Sequence, residues 1–287
     1  LRAWEKRYGA VEPARTEGGH RLYSEAEIRR LQLLHRLTEM GHRIGRIATV
    51  PTGELDSMLE AARRDASTVR DRSEAPEAED WTVVQLMEAV RELDADQLES
   101  SFRQAALERT AHGLIEEVIS PLLRRIGEAW QEGEVSPAQE HLASRVVSHT
   151  LSWVLDAFQP PPDAPLAVIA TPSGQRHELG ALLAAATAAA SGWRIAYLGG
   201  DLPGEEIARA ARATGARAVA LSIVYPPDDP GLGEEMRALR AGLGDDTRLL
   251  VGGDGTPAYA RVLEEVGART LDGYGALRSE LEALDGR

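Results

Sequence analysis

The chain has 287 residues, enough for two or three domains, and its 43% hydrophobic and 27% charged residues are typical of a globular protein. It contains no cysteine, which excludes disulfides and thiolate metal sites and fits an intracellular, cytoplasmic protein. The longest stretch without a charged residue, residues 179–193, has 15 residues, fewer than the roughly 20 that span a bilayer.

The net charge of −14 is distributed unevenly. Residues 1–46 carry ten Lys and Arg against six Glu, so this segment is at +4 and the remaining residues are at −18. An acidic protein is not expected to bind nucleic acid. The asymmetry, however, predicts a basic binding module attached to an acidic body.

Residues 1–66 are predicted to form the basic module. Ser24 and Glu27 make a capping box that begins a helix. Apolar residues recur at helical spacing after it, at Ile28, Leu31, Leu34 and Leu37. Residues 67–79 are polar and poor in apolar side chains, which predicts a linker.

Residues 80–160 are predicted to form a bundle of about four helices, because they show helical periods and no strand-like alternation. The apolar residues of these periods are Val83, Leu86, Val90 and Leu93, then Leu114, Val118, Leu122 and Ile126, and finally Leu142, Val146, Leu151 and Leu155. Three consecutive prolines at 160–162 cannot continue a helix and end the bundle.

Residues 161–287 alternate between short apolar strands and helices in five βα units. Strands that are apolar on both faces and alternate with helices predict a parallel sheet with helices on both sides, a doubly wound, Rossmann-like α/β domain. The predicted strands are residues 166–170, 194–199, 217–225, 248–253 and 269–273. In such a sheet, ligands bind at the carboxyl ends of the strands.

Common catalytic and nucleotide-binding signatures are absent from the sequence. There is no G-x-S-x-G elbow, no H-E-x-x-H zinc pair and no G-x-x-x-x-G-K-[ST] phosphate loop. The residues that follow the first strand of the predicted sheet also lack the dinucleotide fingerprint. We therefore expect a binding protein rather than an enzyme.

Three short elements at the carboxyl edge of the predicted sheet have a characteristic spacing. They are His177-x-x-Gly180 after the first strand of the sheet, then Ser222-x-Val224 after 41 intervening residues, and Gly252-Gly253 after another 27. A lone histidine on a loop is more often an ordinary polar residue, but this pattern resembles the cobalamin-binding signature H-x-x-G, S-x-L and GG. The resemblance implies that the nucleotide tail of the cofactor inserts beside the serine and the glycines, and that His177 is the lower axial ligand of cobalt.

Two positions depart from that signature. Val224 stands where the family has leucine, and Gln175 stands where it usually has an acidic residue, two residues before the histidine. Gln175 can orient the imidazole ring but cannot share its proton. The chemistry also requires a neutral imidazole, on a loop flexible enough to follow the metal.

The predicted bundle contains a second signature, in which Trp130 is followed after nine residues by Glu140 and His141. Alone it predicts core packing by the tryptophan and a polar helix face. Beside the first signature it resembles the W-x9-E-H of adenosylcobalamin photoreceptors of the CarH/LitR type. The resemblance implies that Trp130 and Glu140 enclose the adenosyl group above cobalt, where an indole excludes water and a carboxylate accepts hydrogen bonds from ribose hydroxyls.

Residues 1–23 resemble the end of the recognition helix and the wing of the MerR-type winged helix–turn–helix that this family carries. The first helix and turn of that module are expected to precede Leu1. Arginines neutralise phosphates, and a Gly-Gly turn lets the wing approach the DNA backbone. The residues that the resemblance assigns to DNA binding are Arg2, Trp4, Arg7 and Tyr8 around the recognition helix, and Arg15, Thr16, His20, Arg21 and Tyr23 in the wing. The alternative is an ordinary basic helix followed by a polar loop.

The resemblance covers all three regions and implies a light-responsive transcriptional repressor. In that family the dark form with adenosylcobalamin assembles as a homotetramer on operator DNA, and photolysis of the Co–C bond releases it. One residue departs from the family. Gln131 stands where light-sensing members have the histidine that ligates cobalt after photolysis. Either light breaks the Co–C bond without that adduct, or His141 or His149 replaces the missing ligand, or the protein is not a simple light switch.

Three alternatives stay open. Gln131 fits a cobalamin-binding repressor that is indifferent to light. A related group of cobalamin domains also holds a bilin, which here would have to bind non-covalently because the chain has no cysteine. A corrinoid carrier protein for methyl transfer would explain the bundle and the α/β domain but not the basic module.

Overall fold

The computed structural model describes residues 10–11, 14–15, 21–22, 24–39, 44–58, 81–224 and 229–286. The chain divides into two compact units, Leu1–Glu77 and Ala78–Arg287. The predicted linker, residues 67–79, lies outside the described residues. In the part of the chain that is described, none of the helices has the length and apolar character needed to cross a membrane.

The first unit contains the capping box that the sequence predicted. Its elements are β1 (Ala14–Arg15), β2 (Arg21–Leu22), α1 (Glu25–Glu39) and α2 (Ile44–Ile47), and residues 52–58 are also helical. The Ser24 hydroxyl accepts a hydrogen bond from the Glu27 N–H at 3.3 Å, and the Glu27 carboxylate accepts one from the Ser24 N–H at 2.8 Å. Leu34 and Leu37 are fully buried, whereas Ile28, in the first turn, is exposed.

Arg30 joins three segments of this unit. Its guanidinium donates to the carbonyl oxygens of Ala10 at 2.8 Å and Ala48 at 2.6 Å, and to the hydroxyl of Thr52 at 3.1 Å. Charged donors make stronger hydrogen bonds than neutral ones. Arg30 therefore stabilises the fold of the basic unit, although the sequence counts it among the charges that could attract phosphate.

The second unit begins with four helices, as predicted. They are α3 (Trp81–Glu92), α4 (Ala95–Glu108), α5 (residues 111–132) and α6 (Pro137–Ala157). The Asp94 carboxylate caps α4 by accepting from the Gln97 N–H at 2.9 Å, and Ser136 begins α6 with a capping box. Leu93 was expected on the apolar face of α3, but it follows the helix in a left-handed turn, at φ 57°, and is half exposed.

Helix α5 is not a regular α-helix. Ala111–Gly113 leads into a π-helical segment, Leu114–Ile119, which continues as the α-helical Ser120–Glu132. The predicted core residues of α5 repeat every four residues, which in a regular α-helix drifts by about 40° per step. The wider π turn offsets part of this drift. All four residues are therefore buried: Leu114, Val118, Leu122 and Ile126.

The rest of the second unit is built on a five-stranded parallel sheet with the order β4-β3-β5-β6-β7. Its strands are β3 (Leu166–Pro172), β4 (Arg194–Leu202), β5 (Ala218–Ser222), β6 (Arg248–Gly252) and β7 (Arg269–Leu271). Strand β4 continues beyond its predicted end at residue 199, with register shifts against β3. Strand β5 ends at Ser222, before its predicted end at residue 225, which lies outside the described residues.

Helices cover both faces of this sheet, as the sequence predicted. One face carries α7 (Leu179–Ala190) and α11 (Tyr274–Asp285), and the other carries α8 (Gly204–Thr214), α9 (Leu232–Gly242) and α10 (Ala260–Glu265). The strand order therefore reverses between β3 and β5. This is the point where open α/β sheets bind their ligands.

Helix α7 has two apolar faces. Its alanines 181, 185 and 188 pack on the sheet, whereas Leu182, Leu183 and Ala186 belong to the core of the helical bundle. Polar contacts add to this junction: Glu116 Oε1 lies 3.4 Å from an Arg278 nitrogen, and His112 Nε2 lies 3.2 Å from the Ser191 hydroxyl. The bundle and the α/β layer thus form one compact unit.

Candidate functional site

The three elements of the first signature lie at one edge of the sheet. The loop with His177 follows β3, Ser222 ends β5, and Gly252 ends β6. Strand β5 lies between β3 and β6, and Ser222 is opposite Gly252 in the register. The structure therefore brings the signature together at the point where the strand order reverses.

Gly180, in the first turn of α7, lies directly against the end of β5. A Cβ atom on Gly180 would be closer than 3.0 Å to the Ser222 hydroxyl oxygen, a distance that real Cβ atoms essentially never show. Ser222 itself is buried. The Tyr274 hydroxyl lies 3.5 Å from the Gly180 carbonyl oxygen, and burial, reinforced by Asp254, raises the pKa of Tyr274 well above its ordinary value. A larger residue at position 180 would therefore require the Ser222 hydroxyl to move.

The two glycines after β6 have different reasons to be glycine. Gly253 has a φ of 105°, and a Cβ atom there would be closer than 3.0 Å to the Ile223 carbonyl oxygen, so the fold itself requires glycine. At Gly252 a Cβ atom would make only ordinary contacts, the nearest with Leu271 at 3.8 Å. Close approach of a ligand to both glycines stays a prediction, and the fold leaves space for it at Gly252.

Gln175 connects the histidine loop to the segment that follows β5. Its side chain is almost fully buried, and its Oε1 accepts a hydrogen bond from the Val224 N–H at 3.0 Å. The neighbouring His177 is exposed at the edge of the sheet. Orientation of the imidazole ring by Gln175 stays a prediction. The hydrogen bond from Val224 to Gln175 also fixes the loop relative to the S-x-V element.

Two groups beside this loop were missed by the sequence analysis. The Tyr197 hydroxyl, on β4, donates to the Glu178 carboxylate at 3.1 Å, and partial burial together with this carboxylate raises the pKa of Tyr197. The Asp201 carboxylate accepts from the Gly174 N–H at 2.8 Å. The signal that could have revealed Asp201 is a polar residue after two glycines at the carboxyl end of a parallel strand. These two contacts tie residues on either side of His177 to β4; the flexibility that metal ligation requires of the loop stays a prediction.

A cavity of about 290 Å³ opens beside the same loop, between α6 of the bundle and the α/β layer. Its lining is Ser148, Ser152, Leu155 and Asp156 from α6, Glu178 and Leu182 from the loop and α7, and Tyr197 from β4. Glu178 directly follows His177 in the chain. The space between the two layers is therefore contiguous with the candidate site.

The second signature lies on the two helices that end the bundle. Trp130 on α5 is partly buried and packs against the bundle core. On α6, one oxygen of the Glu140 carboxylate lies 2.6 Å from His141 Nδ1, and the other accepts a hydrogen bond from the Ser144 hydroxyl at 2.6 Å. A carboxylate accepts about four hydrogen bonds, so Glu140 retains capacity for a ligand. The role of these residues as a cap over the cofactor stays a prediction.

The structure describes two of the nine residues that were predicted to bind DNA. Arg15 and Arg21 lie opposite each other on the antiparallel strands β1 and β2, and only their backbone is described. Outside the described residues lie Arg2, Trp4, Arg7, Tyr8, Thr16, His20 and Tyr23. The contacts of these nine side chains with DNA stay predictions.

Family models match all three regions of the chain. A model described as MerR HTH family regulatory protein matches residues 1–52, and two models described as B12 binding domain match residues 83–154 and 165–281. The chain is 30% identical over 279 residues to the HTH-type transcriptional repressor CarH of Myxococcus xanthus, covering 95% of this chain and 90% of CarH. It is 29% identical over 293 residues to the repressor CarA of the same organism, covering 99% of this chain and 90% of CarA.

The chain also resembles a protein of known structure. The monomethylamine corrinoid protein of Methanosarcina barkeri aligns with a TM-score of 0.56 and 21% identity, over 69% of this chain and 96% of that protein. At this identity the likeness shows the fold. It supports the predicted combination of a helical bundle with a Rossmann-like parallel sheet.

Proposed function

We propose that this chain, which belongs to the family of CarH-type HTH transcriptional repressors, assembles on its operator DNA as a homotetramer in the dark, with adenosylcobalamin bound. It leaves the DNA when light breaks the Co–C bond. Its MerR-type and B12 binding domains make it a DNA-binding and cobalamin-binding regulator. The observation that carries the finer proposal is the meeting of the His177 loop, the Gly180–Ser222 contact and Gly252 at one point of the sheet edge.

The residues at this point fit a corrin cofactor. A metal already held by a macrocycle needs few ligands from the protein, and the exposed imidazole of His177 could supply one. Gly180 and Ser222 keep α7 and β5 close together, and Gly252 has room for a neighbour. Ser222, Val224, Gly252 and Gly253 would therefore hold the nucleotide tail, while His177 would ligate cobalt.

Adenosylcobalamin, when bound, supplies a cobalt–carbon bond that light can break. Trp130 would then exclude water from the adenosyl group. Glu140, with His141, would accept hydrogen bonds from the hydroxyl groups of the adenosyl moiety and so orient it. Because the adenosyl group would pack between the bundle and the α/β layer, its loss would favour a different arrangement of the two. In a tetramer, each MerR-type module gains DNA affinity from effective concentration, which is lost when the assembly dissociates.

The test is an absorption spectrum with adenosylcobalamin in darkness and after green illumination, with the mass of both samples measured by light scattering after size exclusion. We expect a tetramer in the dark and a smaller species after illumination. Hydroxocobalamin, which lacks the adenosyl group, is the matched control and should leave the protein small in both conditions. His177→Ala should retain much less cobalamin; retention equal to that of the wild type would contradict the axial-ligand assignment.

Gln131 favours a second candidate, a cobalamin-binding repressor that does not respond to light. In light-sensing members a histidine at this position ligates the metal after photolysis. An amide is a poor ligand for cobalt, so Gln131 cannot take that role. A spectral change without a change in mass would support this candidate. A non-covalently bound bilin would instead add an absorption band that cobalamin does not have.

A further inference from the structure

The loop that carries His177 is held by the residue that follows two glycines near the end of β4. Asp201 has a φ of 59°, in the left-handed region that few residues other than glycine, asparagine and aspartate adopt. The chain enters this conformation through Gly199, whose φ is 81°. Non-glycine residues in this region mark places where the surrounding structure enforces the conformation.

Asp201 contacts three consecutive residues that precede His177. Its carboxylate accepts a hydrogen bond from the Gly174 N–H at 2.8 Å, and lies 3.4 Å from the Arg176 guanidinium. Its own N–H donates to the Gln175 carbonyl oxygen at 3.2 Å and to the Thr171 hydroxyl at 2.9 Å. The left-handed backbone is what allows the N–H and the carboxylate of one residue to face the same loop.

These contacts differ in strength. The Arg176 pair is between exposed groups, with 84% and 45% of the side chains accessible, and such pairs contribute little. The hydrogen bond from Gly174 is short and charge-assisted, and it acts on the backbone of the loop. The carboxylate therefore acts mainly through Gly174, three residues before the histidine.

We propose that Asp201 is a positioning residue for His177: it fixes the backbone of residues 174–176, so that the imidazole stands at a defined height above the sheet edge and reaches the cobalt. This inference rests on the proposed role of His177 as the axial ligand. Glu178, on the other side, is held by Tyr197 at 3.1 Å. His177 is thus the exposed residue between two anchored neighbours, and its preorganisation favours metal ligation.

Three variants separate the possible contributions of Asp201. Asp201→Gly keeps the left-handed backbone and removes the carboxylate. Asp201→Asn keeps an acceptor oxygen and tolerates the same backbone conformation. Arg176→Gln removes only the exposed ion pair. Each protein is loaded with hydroxocobalamin, and its absorption spectrum reports whether histidine or water ligates cobalt, while the dissociation rate reports affinity.

We expect Asp201→Gly to shift the spectrum towards the water-ligated form and to weaken cobalamin binding by about tenfold, the loss typical of groups that orient a metal ligand. Asp201→Asn and Arg176→Gln should keep the spectrum of the wild type. A purely structural role would lower the unfolding temperature of Asp201→Gly without changing its spectrum, and that result would overturn the proposal. If His177→Ala itself showed the wild-type spectrum, the axial-ligand assignment would fail, independently of Asp201.

Discussion

The side-chain oxygen of Gln175 lies 3.0 Å from the backbone nitrogen of Val224, so one buried amide joins the loop after β3 to the segment after β5. These two segments carry the parts of the signature that would hold the metal and the nucleotide tail. The hydrogen bond also satisfies the backbone N–H of Val224, which lies beyond the last residue of β5.

Replacing Gln175 by methionine should destabilise the second unit. Methionine fills a similar volume but leaves the Val224 N–H without this acceptor, which costs about 1–3 kcal/mol in the free energy of unfolding. Urea unfolding of the wild type and this variant, both without cofactor, measures the difference, and an unchanged free energy of unfolding would show that the hydrogen bond contributes nothing.

The contact between Gly180 and Ser222 predicts a coupled pair of substitutions. Gly180→Ala places a methyl group against the Ser222 hydroxyl oxygen and should lower the free energy of unfolding by about 1–3 kcal/mol. In Gly180→Ala with Ser222→Ala the hydroxyl is gone, and the next atom, the Cβ of residue 222, lies at an ordinary 3.5 Å. The double variant should therefore recover stability relative to the sum of the single variants. Strict additivity in denaturant unfolding would contradict this close contact.

The two glycines after β6 should respond differently to alanine. Gly253→Ala adds a methyl group against the Ile223 carbonyl at a φ of 105°, and should reduce stability even without cofactor. Gly252→Ala should leave the stability of the cofactor-free protein nearly unchanged and weaken cobalamin binding. Thermal unfolding and equilibrium binding on the same samples separate the two effects. Wild-type cobalamin affinity in Gly252→Ala would argue against close approach of a ligand at that glycine.

The Tyr197–Glu178 contact predicts a loss of stability at alkaline pH. Burial and the carboxylate raise the folded-state pKa of Tyr197 above its ordinary value of about 10, so the unfolded chain releases this proton first. The contribution of the neutral phenol is therefore complete below about pH 10 and is lost as the pH rises further. Tyr197→Phe should show a shallower fall in stability between pH 9 and about pH 11, measured by urea unfolding. An unchanged slope would contradict the raised pKa.

Arg30 should matter for folding of the first unit and not for the cofactor. Arg30→Lys keeps the charge, but the single ammonium group of lysine cannot contact all three acceptors that the planar guanidinium reaches. The first unit should therefore unfold at a lower temperature. Cobalamin binding should be unaffected. Arg29→Lys, next to it, changes only an exposed pair with Asp56 and is the matched control. Equal effects of both variants would contradict the structural role of Arg30.

Much of the fold follows from patterns that are local in the sequence. The capping box at Ser24 and the two-sided apolar strands were predicted because each depends on neighbours within a few residues. The left-handed Asp201 and the Gln175–Val224 bond were not, because each depends on a partner 27 or 49 positions away. The π-helical segment of α5 was not predicted for another reason: apolar residues spaced by four are compatible with both an α-helix and a π-helix. The assignment of His177 required the spacing of three separate motifs, since one histidine alone is uninformative.

Because Leu182, Leu183 and Ala186 belong to the bundle core while the opposite face of α7 lies on the sheet, lifting the bundle away from the α/β layer would expose two leucines to water. At about 1.5–3 kcal/mol for each fully buried leucine, that movement is costly. Sliding of α6 along α7 would keep these side chains covered. If loss of the cofactor rearranges the two layers, as proposed, a shear between α6 and α7 would therefore cost less free energy than their separation.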